Sequence, residues 1–230
     1  MIILGLDISL TATGWAIAEL KDSKLSLLRC GVIVTKKEKG KPSSTLDSIR
    51  RAHDIHVDLG KVLSSELGLR TDLVCLESMS WPRNASTAVK MAVAWGAIAP
   101  LLANYPLIPV GPVAIKLVAS GKKSASKEEV ASGVQALMPK STSFVLKEFV
   151  PKVSLREHCW DALGSILASM KTEKFRLLKA GLSERSPFAE NLGPKRRMKI
   201  SQSFAEAFDL SQLEAVALGR ASAAKPRPSL

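Results

Sequence analysis

The stretch IILGLDISLTATG, Ile2 to Gly14, determines how the rest of the chain is read. Ile2 to Leu6 are almost all β-branched or aliphatic, the pattern of a strand buried on both faces in the middle of a sheet. Asp7 closes that run as its sole charge. Ser9, Thr11, Thr13 and Gly14 then make a hydroxyl-rich turn ending in glycine, and the apolar pattern resumes at Trp15-Ala16-Ile17-Ala18. The two runs predict a hairpin. Burying a carboxylate costs on the order of several kcal/mol unless a cation or hydrogen bonds compensate it. Asp7 therefore reads either as a metal-binding or catalytic acid, or as an acid that merely caps the turn.

Working outward, LSLLRCGVIVT predicts a third strand over Leu25 to Thr35, and KKEKGKPS a solvated basic loop. Three strands on short turns make an antiparallel meander. From Ser44, the residues Leu46, Ile49, Ala52, Ile55, Leu59, Val62 and Leu63 fall at helical spacing, a helix expected to pack on the sheet through that stripe. Leu73 to Leu76 is a fourth strand, and it too ends in a lone carboxylate, Glu77. The loop SMSWPRNAST, broken by Pro82, leads into a helix over Ser86 to Leu102 with Ala88, Met91, Ala92, Trp95, Ile98 and Ala99 on its apolar face. Leu107 to Val110 is the fifth strand, and Pro112 opens a helix running to Ser120.

Gly121-Lys122-Lys123-Ser124 is not a phosphate-binding loop, because Lys116 stands where that loop needs its first glycine. Ser126 caps a helix over Lys127 to Met138, with Val130, Val134 and Leu137 on one face. Pro139 to Leu155 reads as irregular and basic, holding Lys140, Lys147 and Lys152. A last core helix starts at Arg156; His158 and Asp161, three residues apart, share one of its faces. Residues 171–230 hold 12 Lys/Arg against 6 Asp/Glu, far denser in positive charge than residues 1–170. That extension reads as linker and nucleic-acid contact, with one amphipathic helix available over Ser203 to Gly219. There is no internal repeat.

A chain of 230 residues that is 46% hydrophobic suits one domain, over residues 1–170, with a tail. No uninterrupted apolar run approaches the roughly 18 residues of a membrane span, and the N-terminus lacks a signal-peptide layout, so a cytosolic protein is expected. Cys30, Cys75 and Cys159 are odd in number and sit in apolar segments, as reduced core residues do. A net charge of +12 favours a polyanionic partner, nucleic acid first, with a ribosome or an anionic membrane as other possibilities.

Three meander strands, a helix, a fourth strand, then alternating helix and strand is the order of an α/β fold of the ribonuclease H type. Such a fold is a mixed five-stranded sheet flanked by helices, in which the ends of the first and fourth strands lie together beside the last helix. Asp7, Glu77, His158 and Asp161 are expected to converge there. Hard oxygen donors with one imidazole suit Mg²⁺ or Mn²⁺, and two such ions about 4 Å apart serve phosphodiester hydrolysis.

The blocks GLDISLTATGWAI, VCLESM, AIKLVASGKKSASKEEV and HCWDALGSILA, over about residues 1–170, resemble in order and spacing those of the RuvC family of Holliday-junction resolvases. By that resemblance Asp7, Glu77 and Asp161 match the catalytic acids and His158 the site three residues before the last. Lys116 and Lys127 match basic positions near the scissile phosphate. The resemblance departs at Ile8-Ser9, where many members carry Pro-Gly, and at His158, where many carry Asp. The aromatic wedge of the family falls at Ser80, with Trp81 beside it to stack on an unpaired base, worth about 1–3 kcal/mol. Arg83, Lys122 and Lys123 are further candidate DNA contacts, as are Asn84 and Lys90 at the start of a groove-lining helix; His53 and His56 read as surface.

The resemblance implies a Mg²⁺-dependent endonuclease that nicks four-way or otherwise branched DNA in pairs, as a homodimer with the helix over Ser86 to Leu102 at its interface. A less selective RuvC-like nuclease fits the same residues. Actin-like and Hsp70-type ATPases open with a related Gly-x-Asp loop, but they need a second phosphate loop and an adenosine motif that this chain does not offer. A DNA-binding module without catalysis is opposed by the retained acids.

Overall fold

A computed structural model describes residues 1–38, 40, 44–79 and 84–184; the helix expected over residues 203–219 and most of the basic extension lie outside the described residues. The chain begins with strands β1 (Ile2–Asp7), β2 (Ala12–Lys21) and β3 (Lys24–Val34). Helices α1 (Ser44–Ser64) and the short α2 (Glu66–Leu69) lead to β4 (Thr71–Glu77), α3 (Ala85–Leu102) and β5 (Leu107–Val110). Helices α4 (Pro112–Ser120), α5 (Lys127–Leu137), α6 (Thr142–Phe149), α7 (Arg156–Ser169) and α8 (Glu173–Glu184) follow, with a 3₁₀ turn over Val153–Leu155.

The strands form one sheet in the order β3-β2-β1-β4-β5, antiparallel across β3-β2-β1 and parallel across β1-β4-β5. The mixed five-stranded sheet read from the chain order is therefore the one observed. Alternation along each strand sends side chains to two cores. Ile3, Leu73 and Cys75 face the layer made by α4 to α8, whereas Leu4, Leu6, Val74 and Leu76 face α1 and α3. That is why β1 and β4 carry unbroken apolar runs: both faces are covered. Phe175 of α8 is buried in the first core, so the chain continues to pack on the sheet past residue 171. All three cysteines are free and buried, as their apolar surroundings predict.

Four local expectations are corrected. The inward stripe of α1 begins not with Leu46 and Ile49, which are 58% and 55% exposed, but with a buried Asp47 and Arg51 followed by Ile55, Leu59 and Leu63. Likewise Leu137 of α5 is exposed while Val130 and Val134 are buried. Residues 139–155 are not irregular: Thr142, Leu146 and Val150 are buried at four-residue intervals, and α6 forms to pack that stripe against the sheet layer containing β3. His56 is not a free surface residue, because its Nδ1–H donates to the Ala97 carbonyl of α3 at 2.7 Å, whereas His53 is exposed.

Helix α3 differs from the others. It is apolar and long enough to cross a membrane by length and composition, yet only 17% of it is buried. Ala94, Ile98 and Leu102 alone are fully covered, against α1 and the sheet; Ala92 and Ala99, expected on the inner face, are exposed.

Candidate active site

Asp7 is the last residue of β1 and Glu77 the last residue of β4, and the two strands pair in parallel through Leu6 and Leu76. Both carboxylates are therefore delivered to one end of the sheet, side by side. The third contributor is α7, which crosses that end closely because two glycines let it. A Cβ at Gly5 would lie 2.3 Å from the Ala162 carbonyl oxygen, and one at Gly14 would lie 2.2 Å from that of His158. Since Gly14 is the register partner of Asp7, the approach at Gly14 is what brings His158 to Asp7. Its Nδ1–H donates to Asp7 Oδ2 at 2.9 Å, and its Nε2 lies 3.8 Å from Glu157 Oε1.

The turn beyond Asp7 is held by its own hydroxyls. Thr13 Oγ1 donates to the Ser9 carbonyl at 2.7 Å, Ser9 Oγ donates to the Ala12 carbonyl at 3.0 Å, and Ser9 Oγ accepts from the Ala12 N–H at 3.1 Å. From behind, Arg51 of α1 clamps the same turn. Its Nε donates to Thr35 Oγ1 at 2.8 Å and its Nη2 to the Leu10 carbonyl at 3.0 Å and Thr11 Oγ1 at 3.2 Å. Thr35 Oγ1 itself donates to the Leu10 carbonyl. Buried Asp47 balances the guanidinium at 3.9 Å. This clamp was not foreseen from sequence; the signal available was Asp47 and Arg51 one helical turn apart.

Electrostatics tie the acids together. Burial first, then the negative charges of Asp7 and Asp161, push the Glu77 carboxyl up to about 7. Burial and then Asp7 push Asp161 up to about 6. The hydrogen bond to Asp7 raises His158. Lys127 and Lys116 act in the opposite sense on Glu77, so both lysines lie within electrostatic reach of the cleft, Lys116 half-buried on α4 and Lys127 exposed at the start of α5. Lys122 is instead engaged by Glu129 at 2.8 Å, and Lys123 is exposed. Asn84 caps α3, its Oδ1 accepting from the Ser86 N–H at 2.8 Å, and Lys90 is exposed on that helix. Ser80, Trp81 and Arg83 lie outside the described residues.

Glu77 and Asp161, both raised by burial and by neighbouring carboxylates, present the condition that a divalent cation relieves, and hard oxygens with an imidazole are the donors such a cation takes. The donor set fits. Among the described residues no three His, Cys, Asp or Glu side chains are already drawn into a ready ligand group, so the carboxylates share a cleft without forming a closed shell.

Residues 3–143 match the family described as crossover junction endodeoxyribonuclease RuvC. The RuvC enzyme of Prochlorococcus marinus strain MIT 9312 is 34% identical over 136 residues, covering 58% of this chain and 80% of that protein. The one from Granulibacter bethesdensis is 30% identical over 141 residues, covering 60% and 74%. Among solved structures, T. thermophilus RuvC in complex with Holliday junction substrate superposes with a TM-score of 0.55 at 29% identity, over 73% of this chain and 92% of that one. Asp7 and Glu77 fall inside the matched residues, while His158 and Asp161 lie beyond them.

Proposed function

We propose that this chain, which belongs to the RuvC family of crossover junction endodeoxyribonucleases, is a metal-dependent endonuclease that resolves four-way DNA junctions by paired nicks. The observation that carries this reading is the meeting of Asp7, Glu77 and Asp161, from β1, β4 and α7, at one end of the sheet. Asp7, Glu77 and Asp161 would hold Mg²⁺, with Mn²⁺ as substitute. His158 orients Asp7 through Nδ1, leaving Nε2 as the atom able to ligate. When bound, such ions neutralise the three carboxylates, polarise the phosphodiester and make water a stronger nucleophile.

The protein's own groups do the rest. Lys116 and Lys127 place the scissile phosphate over the cleft, and Asp7, held by His158 through Oδ2, keeps its other oxygen as a donor for the cation. Water adds to phosphorus opposite the leaving ester oxygen, which departs as an alcohol after taking up a proton. Trp81, Arg83, Lys122 and Lys123 contribute outer DNA contacts, Lys122 by exchanging Glu129 for phosphate. Residues 1–170 carry the nuclease groups, α8 packs on them through Phe175, and the basic residues of the extension over 171–230 add nonspecific affinity.

A four-way junction has approximate two-fold symmetry, so paired nicks need two sites related by a dyad, and a homodimer supplies them. Helix α3 is its interface: an apolar helix with only Ala94, Ile98 and Leu102 fully buried in the monomer suits a second copy in the cytoplasm. The test is incubation of labelled four-way, forked and linear duplex DNA with Mg²⁺, beside Asp7→Asn. Symmetric nicks in the four-way junction are expected from the wild type and none from the variant. Equal cutting of linear duplex would leave the less selective nuclease as the better reading, and undiminished cutting by the variant would refute the site.

A further inference from the structure

A groove of about 430 Å³ runs between α5, α6 and α7, walled by Lys127, Lys147, Arg156 and Trp160 together with the acids Glu128 and Glu157. It adjoins the cleft, because Lys127 belongs to both: its ammonium lies 3.7 Å from Glu157 Oε2, next in sequence to His158. Both acids are already engaged. Glu157 faces Lys127, and Glu128 accepts from Ser126 Oγ at 2.8 Å. Arg156 is held in place, its Nε donating to the Val150 carbonyl at 2.8 Å and its Nη2 to the Pro151 carbonyl at 3.0 Å.

The segment that builds the outer wall is unusual in composition. Residues 139–156 carry four Lys/Arg and a single acid, Glu148. Phe144 and Val153 are 71% and 72% exposed, and the Lys147 ammonium lies 5.9 Å from the Phe144 ring. A protein-docking core would be depleted of lysine. Lysines beside an exposed aromatic instead match a nucleic-acid strand, whose phosphates take the charges while its sugars and bases take the ring.

We propose that this groove is a second DNA-contact surface that takes the sugar–phosphate backbone of a strand beyond the scissile phosphate, with Lys147 and Arg156 on phosphates and Phe144, exposed beside the groove under Lys147, against the sugars or an unpaired base. The inference rests on the junction-nuclease reading. It is tested by titrating a labelled four-way junction across about 50 to 200 mM salt. The variant carrying Lys147→Gln with Phe144→Ser is expected to bind about tenfold more weakly at the upper salt, with the slope of log affinity against log salt reduced by about one. Lys147→Arg is expected to keep the wild-type slope. Lys24→Gln removes the same charge from the β2–β3 turn at the opposite end of the sheet and is expected to change neither quantity. A double variant that matches the wild type in affinity and slope overturns the groove, while the wild type still binds and cuts. A wild type that neither binds nor cuts the junction refutes the function itself.

Discussion

Gly14 lies directly under the backbone of His158: a Cβ there would sit 2.2 Å from the His158 carbonyl oxygen and 2.7 Å from the His158 Cβ. Because backbone cannot swing aside as a flexible side chain would, Gly14→Ala must push α7 off the hairpin. The expected cost is about 2–4 kcal/mol, at or above the usual range for overpacking. Urea unfolding measures it. A loss under about 0.5 kcal/mol would mean that α7 does not need this approach.

Asp7→Asn removes the carboxylate charge, which raises His158 both through its hydrogen bond and through its field, and leaves only a neutral amide oxygen to accept. The His158 titration is therefore expected to move down, by NMR of the imidazole, with the fold intact. Junction cleavage should fall by a factor of about 10² or more, as when a group acting on the transition state is removed. An unmoved His158 titration would show that the pair does not form in solution.

Glu77 is an acid raised from 4.5 to about 7, so its ionised form is the strained one. Stability is thus complete below its ordinary value and is lost as pH rises toward 7. Glu77→Gln is expected to stabilise the metal-free protein by about 1–3 kcal/mol at pH 8 and by almost nothing at pH 4. By the same reasoning Mg²⁺ should raise the melting temperature of the wild type more at pH 8 than at pH 5, because protons compete for the same oxygens. A melting temperature that ignores Mg²⁺ at pH 8 would refute metal binding independently of any cleavage assay.

Arg51→Met leaves buried Asp47 paired with Arg50 at 2.9 Å, but it frees the Leu10–Thr11 turn and leaves Thr35 and the Leu10 carbonyl without the guanidinium. The expected loss is about 1–3 kcal/mol by denaturant titration. Arg51→Lys should rescue little of it, since one ammonium cannot reproduce a planar guanidinium that donates from two nitrogens to three acceptors. Full rescue by lysine would show that charge alone holds the turn.

The layout of strands and helices was legible because burial on two faces writes itself as unbroken apolar runs, and because caps such as Pro112 and Ser126 mark helix starts. Helix α6 was hidden by its length: it has eight residues, and its inward stripe is only Thr142 and Leu146, continued by Val150 at its end, too few to announce a helix. The Arg51 clamp was hidden because apolar residues at helical spacing, Leu46 and Ile49, stand beside it and are exposed. Periodicity reports that a stripe exists, not which of two neighbouring stripes a sheet will cover.

From the sequence by itself came two lone acids, Asp7 and Glu77, each at the end of a buried strand, and a third, Asp161, one helical turn from His158. Local rules suffice there, since strand period and helix period depend only on neighbouring residues. Only the tertiary structure decided that α7 crosses at Gly5 and Gly14, that His158 reaches Asp7 rather than the core, and that burial and the charge of Asp7 raise Glu77 and Asp161. These are relationships across 70 or more residues of chain, set by how closely backbones can approach and by how deeply the carboxylates are buried, and neither quantity is written in any local pattern.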